Sequence, residues 1–526
     1  MSDMLKARAG GWVRDLTPLY FLIPFALYLC TAAPSLGSGD TAILIYQIQH
    51  LELGSHVNNH NFTILVGWLF AKLVPFGNPA FKANLVSVVL ATLAVGFFAL
   101  AVREATKNGW IALITALTFS VSQSLWWSAT VVENCAANVL FLALSIYALR
   151  RSQTKTAAFL AGLSVFNHVQ LGFWCAGLSI AILVEAFRLK RAGPRFFMLN
   201  FGALLAGLIP WLTLVAMTAV TSHSLSYALS DAFFGGFEGS MLNGSWGPAL
   251  HELAKITFLQ APSPVLPLLL AGIYFYYRKN GVTLESVATG LLFVGTSGFF
   301  MFYNTWDKFT FLLPSYLALF LWSSEGLAFI AERWTSHLRK QVRYGLAALY
   351  VIPSLALPPF IYSHLTTWGK EPGLNVFGDY RNPEAGHLYE RTDYIVNPMK
   401  HHFRGVDEFA ELIFEKLPPD AIFVDDDSRT APNFLYYYQP LLKRRPDLTV
   451  IMSSGLGIPG WGYSAEAIYE ILLRARDAGK PLFIVSVQFP HKQYLRLRRP
   501  EDGIVFTKFP LDEKRWVYQM TAAPPP

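Results

Sequence analysis

Long apolar stretches constrain this chain more than any other feature of its sequence. A helix needs about 20 mostly apolar residues to cross a bilayer. Charged residues make up only 15% of the 526 residues, whereas a typical soluble protein has about 25%. The composition therefore excludes an ordinary cytosolic enzyme and a disordered chain, and predicts a polytopic α-helical membrane protein. The predicted spans are 17–34, 82–102, 109–125, 131–149, 156–167, 169–186, 197–220, 263–278, 283–303, 310–331 and 344–363.

Three stretches decide whether about 11 transmembrane helices form. The stretch 156–167 is short and Asn167-His168 interrupts it, which indicates a broken or re-entrant helix. The run 62–75 is too short to span comfortably and is consistent with a helix along the interface. No small-residue cleavage site closely follows the stretch 17–34, so we expect a retained helix and not a signal peptide.

Lys and Arg residues in short loops predict the orientation, because they accumulate on the cytoplasmic side. With the N-terminus in the cytoplasm, the inner segments hold eighteen of these residues, and the outer loops before residue 364 hold Lys72, Lys255 and Lys308. An odd number of spans then places the C-terminal region outside. Compact loops and the uncleaved N-terminus indicate a bacterial inner membrane, with the N-terminus cytoplasmic and the C-terminal domain periplasmic.

Residues 364–526 differ from the rest in composition and pattern. They hold 20 Lys and Arg against 21 Asp and Glu, so the net charge of +7 comes from residues 1–363. Because that charge marks topology, it does not indicate nucleic-acid binding. We predict two domains, a multispanning transmembrane domain over 1–363 and an extracytoplasmic α/β domain over 364–526. In the second, strands are predicted at 421–424, 448–452, 481–487, 503–506 and 516–518, and a helix at 465–478 before Gly479.

Ionisable and polar side chains in or beside the spans gather on one predicted face, the outer one. Such groups are costly near a bilayer and mark function more often than not. The topology rests on Lys and Arg alone, and yet the acids and histidines all lie on the same side. The residues are Asp40, His50, His56, His60, Glu133, Asn167, His168, Asp307 and Lys308.

Each of these residues also has a purely structural explanation. An acid just past a helix end, such as Asp40, is commonly only a solvated loop residue, but its glycine neighbour and the histidines that follow favour a function. Glu133, at the start of the fourth predicted span, is suited to complement the helix dipole, which is worth about 0.3–1 kcal/mol. His168 can equally be a hydrogen-bonded core histidine.

The sequence predicts no certain cofactor. The spacing of His50, His56 and His60 matches no tight metal-ligand signature, so a divalent metal is an alternative that is not favoured. Three cysteines in apolar runs support neither a disulfide framework nor a zinc site. The acidic run at 425–427 ends a predicted strand, where α/β folds often bind ligands, although a solvated turn explains it as well.

An outward-facing carboxylate with histidines nearby fits a group transfer from a polyprenyl phosphate. Such a transfer needs a carboxylate that takes the proton of the acceptor hydroxyl. It also needs hydrogen-bond donors or cations at the departing phosphate, and a groove for the lipid tail. Asp40 can supply the first, and His56, His168 and Lys308 are candidates for the second.

Several motifs, taken in order, resemble one family. They are similar to the transmembrane protein O-mannosyltransferases, which have a GT-C type fold and were formerly catalogued as a domain of unknown function. The similarity runs in register from residue 30 to 455 or so. The motifs are Pro34 to Asp40, Leu53-Gly54-Ser55-His56, Asn84 to Ser87, Trp127-Ser128 to Glu133, Gly162 to His168, Tyr303-Asn304 to Asp307 with Leu313-Pro314-Ser315, and Pro419 to Ile422 with Tyr436 to Tyr438.

The resemblance implies an inverting GT-C glycosyltransferase that moves a sugar from a polyprenyl-phosphate donor to a hydroxyl of a protein, glycan or lipid acceptor. Asp40 would be the general base, and metal dependence stays open, although polyprenyl-monophosphate users in this superfamily generally resemble metal-independent enzymes. Two departures leave donor and acceptor open: Gly37 stands where the family usually has a first acid, and Val57 to His60 replaces its usual prolines and glycine. The substrate-binding residues would be His56, His60, Glu133, Asn167, His168, Asp307 and Lys308.

Two other classes of protein stay open. A transporter or flippase for lipid-linked or small polar substrates would place ionisable groups near mid-bilayer and show related halves, and the sequence shows neither pattern. An inactive scaffold would be consistent with the missing acid at Gly37. Sugar transfer from a labelled donor separates the enzyme from both.

Overall fold

The computed structural model describes residues 15–54, 57, 60–188, 193–235, 246–303, 307–333, 339–368, 391–425, 432–452, 462–485, 493–497, 499 and 502–522. Up to residue 368 it consists of helices joined by short connections. These helices are α1 Thr17–Thr31, α2 Thr41–His50, α3 Asn61–Leu73, α4 Pro79–Thr106, α5 Gly109–Ser120, α6 Gln123–Thr130, α7 Cys135–Arg150, α8 Thr154–Ser164, α9 Gly172–Leu183, α10 Pro194–Thr221, α11 Leu225–Phe234, α12 Trp246–Gln260, α13 Val265–Asn280, α14 Leu284–Phe302, α15 Lys308–Phe311, α16 Leu313–Arg333 and α17 Lys340–Trp368.

A small mixed sheet follows in the C-terminal part. The strand order is β2-β1-β3-β5-β4, in which β1 pairs in parallel with β2 and β3, and β5 pairs antiparallel with β3 and β4. Every strand predicted from the sequence is present, and the predicted helix 465–478 is confirmed as α20. The elements are α18 Arg391–Val396, α19 Gly405–Lys416, β1 Ile422–Asp425, β2 Thr449–Met452, α20 Ala465–Asp477, β3 Leu482–Ile484, α21 Gln493–Arg496, β4 Ile504–Pro510 and β5 Trp516–Ala522.

The apolar stretches predicted from the sequence all coincide with helices, which confirms a multi-pass membrane protein. Within the described ranges, six helices are long and apolar enough to cross a membrane, and up to eight if each of two bent helix pairs is one span. The bent pairs are α6 with α7 and α12 with α13. The predicted number of about 11 spans therefore includes α1, α5 and α8, which are shorter than a full crossing.

The sequence placed the helix boundaries around residues 120–135 wrongly. The predicted span 109–125 ends at Ser120, and the chain then forms the separate helix α6. A bend of 119° separates α6 from α7. Glu133 lies in the bend, ahead of α7, and does not begin a span.

Helix α4 runs the length of the bundle and defines its two ends. Asn78 caps it by accepting a hydrogen bond from the Phe81 N–H (2.8 Å), and Pro79 occupies the first turn, where its missing N–H costs nothing. Its 28 residues span about 42 Å at 1.5 Å per residue. We call the end near Asn84 the site end and the end near Arg103 the opposite end.

Several charged side chains at the opposite end form ion pairs. Arg150 makes a two-pronged contact with Glu285, with N–O distances of 2.6 and 2.9 Å, and donates to the Ala101 carbonyl (2.8 Å). Tyr276 donates to the same carboxylate at 2.9 Å. Further ion pairs there join Lys279 to Glu325 and Arg151 to Glu104. Helices α4, α7, α13, α14 and α16 are thereby joined to one another.

Two glycines allow α8 and α10 to pack backbone against backbone. A Cβ on Gly162 would overlap the Leu204 carbonyl, and a Cβ on Gly207 would overlap the Phe159 carbonyl. Small residues at such crossings are typical of helices that pack within a membrane. The chain then leaves α8 toward Asn167 and His168 at the site end.

Candidate active site

Asp40 lies at the end of an ordered loop that connects α1 to α2. Gly39 has a φ of 82°, which favours glycine, and the Thr41 hydroxyl donates to the Gly37 carbonyl at 2.8 Å. The Asp40 side chain is accessible to solvent although residues 35–39 before it are buried. The protein around it nevertheless raises the pKa of its carboxyl by desolvation. An accessible acid that the surrounding protein partly desolvates is suited to take a proton from a substrate.

Asn84 on α4 joins the Asp40 loop to the Glu133 loop. Its amide donates to the carbonyls of Ala33 (2.9 Å) and Ser35 (3.0 Å), and its oxygen accepts from the Val132 N–H (2.8 Å). One turn later, the Ser87 hydroxyl accepts from the Glu133 N–H at 3.3 Å. Asn84 and Ser87 entered the sequence analysis only as part of a motif and were assigned no role, although two polar residues three apart in an apolar span were a usable signal.

Three carboxylates from three separate segments approach one another at the site end. Burial raises the pKa of the Glu133 carboxyl, and the negative charges of Asp40 and Asp307 raise it further. Asp307 precedes the short helix α15. Among the described residues, Asp40 and Glu133 make no ion pair. The uncompensated negative charge is therefore concentrated where the sequence predicted a site.

His60 and His168 stack against each other beside the acids. Their ring centroids are 5.5 Å apart with a 25° angle between the planes. The Asn134 amide nitrogen lies 2.9 Å from Nδ1 of His60. Nδ1 of His168 accepts from the Gln170 N–H at 3.1 Å, which leaves the proton on Nε2.

Both imidazoles are neutral near pH 7. Burial lowers the pKa of His60 to about 4. Burial and then the neighbouring His60 lower the pKa of His168 to about 3. The Nε2–H of His168 can therefore act as a neutral hydrogen-bond donor, whereas neither ring supplies a positive charge.

Asn167 is fully buried behind these histidines. Its oxygen accepts from the N–H (3.0 Å) and the hydroxyl (2.9 Å) of Thr63, and its amide donates to the Asn134 carbonyl (3.1 Å) and the Asn138 oxygen (2.7 Å). These bonds use both donors and the lone pairs of the oxygen. The geometry favours a positioning role for Asn167 over the substrate contact predicted from the sequence.

Lys308, which the sequence offers as a cation for a phosphate, is buried and already bound. Its ammonium forms an ion pair with Glu252 and donates to the Met301 carbonyl at 3.4 Å.

His56 and residues 426–427 of the acidic run lie outside the described residues. Asp425, the first residue of that run, is buried at the end of β1. The described residues include no group of three His, Cys, Asp or Glu side chains that could hold a metal ion.

The fold and the site define a class of protein: the chain has the GT-C fold of membrane glycosyltransferases. The crystal structure of ArnT from Cupriavidus metallidurans bound to undecaprenyl phosphate matches with a TM-score of 0.56 at 12% identity, over 96% of this chain and 98% of that one. The apo structure of the same protein matches with a TM-score of 0.55 at 13% identity, over 97% and 98%. The predicted fold class is thereby confirmed.

Sequence comparison points to a particular family within this class. Residues 40–189 match the model of the Protein O-mannosyl-transferase TMEM260 N-terminal domain. The Protein O-mannosyl-transferase tmem260 of Dictyostelium discoideum is 25% identical over 131 residues, which are 24% of this chain and 16% of that protein. The chain thus matches less than a fifth of that relative's length. The predicted resemblance is confirmed over the part that holds Asp40, Glu133 and His168.

Proposed function

We propose that this chain is an inverting glycosyltransferase that moves a sugar from a polyprenyl-phosphate donor to an acceptor hydroxyl on the extracytoplasmic face. The observation that carries the proposal is the accessible carboxylate of Asp40, which the protein around it partly desolvates and which makes no ion pair with the described residues. Asp40 is also the first residue of the match to the O-mannosyl-transferase domain. The bias of Lys and Arg toward the opposite end supports this orientation.

In the proposed reaction, the acceptor oxygen attacks the anomeric carbon while the bond from that carbon to the donor phosphate breaks. Asp40 takes the proton of the acceptor hydroxyl, and the polyprenyl phosphate leaves with the bonding electrons. A raised pKa brings the carboxyl closer to the operating pH, which makes it a better base than an ordinary aspartate.

A neutral histidine provides a donor at the departing phosphate. The Nε2–H of His168 is suited to hydrogen-bond a phosphate oxygen away from bulk water, where such a bond is stronger, and the stacked ring of His60 supports its position. Glu133 and Asp307 would contact hydroxyls of the sugar or the acceptor, since carboxylates accept such bonds. The solved complex of ArnT with undecaprenyl phosphate supports the class of donor.

Exchange of Asp40 for asparagine tests the proposal most directly. We expect D40N to bind undecaprenyl-phosphate mannose normally and to release undecaprenyl phosphate about 10²–10⁴-fold more slowly, since a positioned base contributes that much. The assay uses the full chain in proteoliposomes with mannose-labelled donor and mixed Ser/Thr peptides. Asp15→Asn, an exposed acid at the opposite end, is the control.

Each part of the proposal can fail separately. Wild-type turnover in D40N contradicts the assignment of Asp40 as base. Failure of the wild type to bind or turn over the polyprenyl-phosphate sugar contradicts the donor class, whatever the variants do.

A further inference from the structure

A short segment beyond the last span packs directly against the loops of the site. Residues 394–400, which we call the strap, include Tyr394, Val396 and Lys400, all at most 1% exposed. Two side chains of α6 hold its first turn: Gln123 donates to the Ile395 carbonyl at 2.6 Å and Trp127 donates to the Tyr394 carbonyl at 2.9 Å. The strap is therefore part of the transmembrane domain's site end and not a free linker.

The strap also forms hydrogen bonds with the segment before Glu133 and with the end of α1. The Thr130 hydroxyl donates to the Pro398 carbonyl at 2.9 Å, three residues before Glu133. The Lys400 N–H donates to the Thr31 carbonyl at 2.8 Å, where the Asp40 loop begins. The strap thus connects the starts of both acidic loops.

Tyr394 reaches the Asp40 loop itself. Its hydroxyl donates to the Ser38 carbonyl at 3.3 Å, two residues before Asp40. A Cβ added at Gly37 would lie 2.7 Å from the Tyr394 oxygen, so no side chain at position 37 fits in this arrangement. The tyrosine hydroxyl occupies the space beside the glycine that stands where an acid was expected from the resemblance.

Lys400 fixes the position of Tyr394. Its ammonium donates to the carbonyls of Tyr394 and Asn397 and lies 4.4 Å from the centroid of the Tyr394 ring. A buried ammonium is tolerated only when its hydrogen bonds are made, and here two acceptors and the ring face belong to the strap. Loss of the amine therefore removes two hydrogen bonds to the backbone turn and the cation contact with the ring together, and loosens both.

We propose that Tyr394 and Lys400 are positioning residues for Asp40, so that a segment from beyond the last span completes the active site. The expected effect on catalysis rests on the proposed function, but the positioning of Asp40 can be measured without turnover. Lys400 sets the ring of Tyr394, Tyr394 holds the Ser38 carbonyl, and Asp40 follows two residues later.

The first test labels Asp40 in the intact protein with a water-soluble carbodiimide, followed by peptide mass spectrometry. Tyr394→Phe and Lys400→Met should accelerate labelling of Asp40 several-fold, because a loosened loop is more accessible, while labelling of Asp15 stays constant. Tyr20→Phe is the matched control, since Tyr20 is a buried tyrosine whose hydroxyl bonds a backbone carbonyl at the opposite end. Wild-type labelling of Asp40 in both strap variants would overturn the proposal.

The second test is a rescue that a general structural role of Tyr394 would not produce. Gly37→Ala introduces a methyl group against the tyrosine oxygen, and Tyr394→Phe removes that oxygen. The rate at which Asp40 is labelled in the double variant should therefore be close to the rate in Tyr394→Phe. The rate in Gly37→Ala alone should differ more from the rate in Tyr394→Phe. Independent, additive effects of the two substitutions would contradict the contact on which the proposal rests.

The third test measures turnover of undecaprenyl-phosphate mannose. Tyr394→Phe should lower kcat about tenfold and change KM less than about twofold, since displacement of a catalytic group by about 1 Å can cost up to 10²-fold. Lys400→Arg should retain more kcat than Lys400→Met, because it keeps donors for the two carbonyls. Unchanged kcat in Tyr394→Phe and Lys400→Met overturns the catalytic consequence. If the wild type has no turnover but the labelling results hold, the proposed function fails and the positioning of Asp40 stands.

Discussion

The two ends of the helical bundle differ in whether their acidic side chains have cationic partners. At the opposite end, Arg150 and Glu285 are buried and bonded to each other, and the nearby acids Glu104 and Glu325 also have cationic partners. At the site end, Asp40 and Glu133 form no ion pair with the described residues, although the protein around them raises their pKa. Lys308 at the site end is also paired, with Glu252, so the contrast concerns the two acids. Without a cationic partner among the described residues, Asp40 and Glu133 cost stability in their charged form and are available for chemistry.

The largest effect is expected when a pair at the opposite end is broken. Arg150→Met leaves Glu285 without its cation, which should lower the free energy of unfolding by about 3–5 kcal/mol. Thermal and denaturant unfolding in detergent would measure it. Arg151→Met, which breaks an exposed pair with Glu104, should cost at most about 1 kcal/mol. Equal losses in the two variants would contradict the structural role given to the buried pair.

Removal of the Asn84 side chain should destabilise the site end and also slow turnover. Asn84→Ala leaves the buried Val132 N–H without its acceptor, at a cost of about 1–3 kcal/mol. Because both acidic loops lose their common anchor, donor turnover should fall about 10²-fold. Asn78→Ala, which removes the cap of α4 and a bond to Pro34, is the matched control and should cost about 1 kcal/mol. Normal turnover in Asn84→Ala would show that the loops do not need this anchor.

The histidine pair should make the protein sensitive to acid. Because the folded state lowers the pKa of His60 to about 4 and of His168 to about 3, the unfolded chain binds more protons below its own histidine pKa of roughly 6.5. Stability should therefore fall as the pH drops from about 6.5 toward 4, by at most about 1.4 kcal/mol per pH unit for each histidine. Melting temperatures at pH 7, 6 and 5 measure the slope. The slope should be shallower in His168→Gln and unchanged in His50→Gln, where the ring is exposed; equal slopes in all three proteins would contradict the buried, neutral pair.

The smallest effect on stability is expected at Glu133. The test asks whether substitution of Glu133 raises or lowers the free energy of unfolding. The raised pKa means that the folded state binds the Glu133 proton more tightly than the unfolded chain, so the charged form destabilises the fold at neutral pH. Glu133→Gln should leave the free energy of unfolding unchanged or raise it by up to about 1 kcal/mol, while turnover falls. Glu104→Gln, which loses pairs with Lys107 and Arg151, should lower stability by up to about 1 kcal/mol. A loss of stability in both variants would remove the contrast between the two ends.

The sequence predicted the features that depend on local pattern. Long apolar stretches predicted the helices, short apolar runs predicted the strands, and polar residues at span ends predicted that Asp40, Glu133 and His168 lie on one face. It could not predict contacts between distant segments whose acceptors are backbone carbonyls. Asn84 bonds Ala33 and Val132 in this way.

The same limitation explains why the structure places some residues in surroundings that the sequence did not predict. The partner of Lys308 is Glu252, 56 positions away, and no local pattern marks that pair. The bend after Thr130 was missed because residues 131–134 were assigned to the span that follows, and periodicity alone does not indicate a change of direction. The strap falls in the part of the chain that was expected to belong to a separate domain, and so nothing local linked it to Asp40.

The glycine contact between α8 and α10 determines the width of the site, although the two glycines lie outside it. Because α8 ends three residues before Asn167, the separation of the two helix axes sets how far His168 stands from the segments opposite it. A single methyl group at Gly162 or Gly207 would force the backbones apart and carry the imidazole with them. The width of the site is thus determined in the packing of two helices, away from the reacting groups, by two residues that have no side chain.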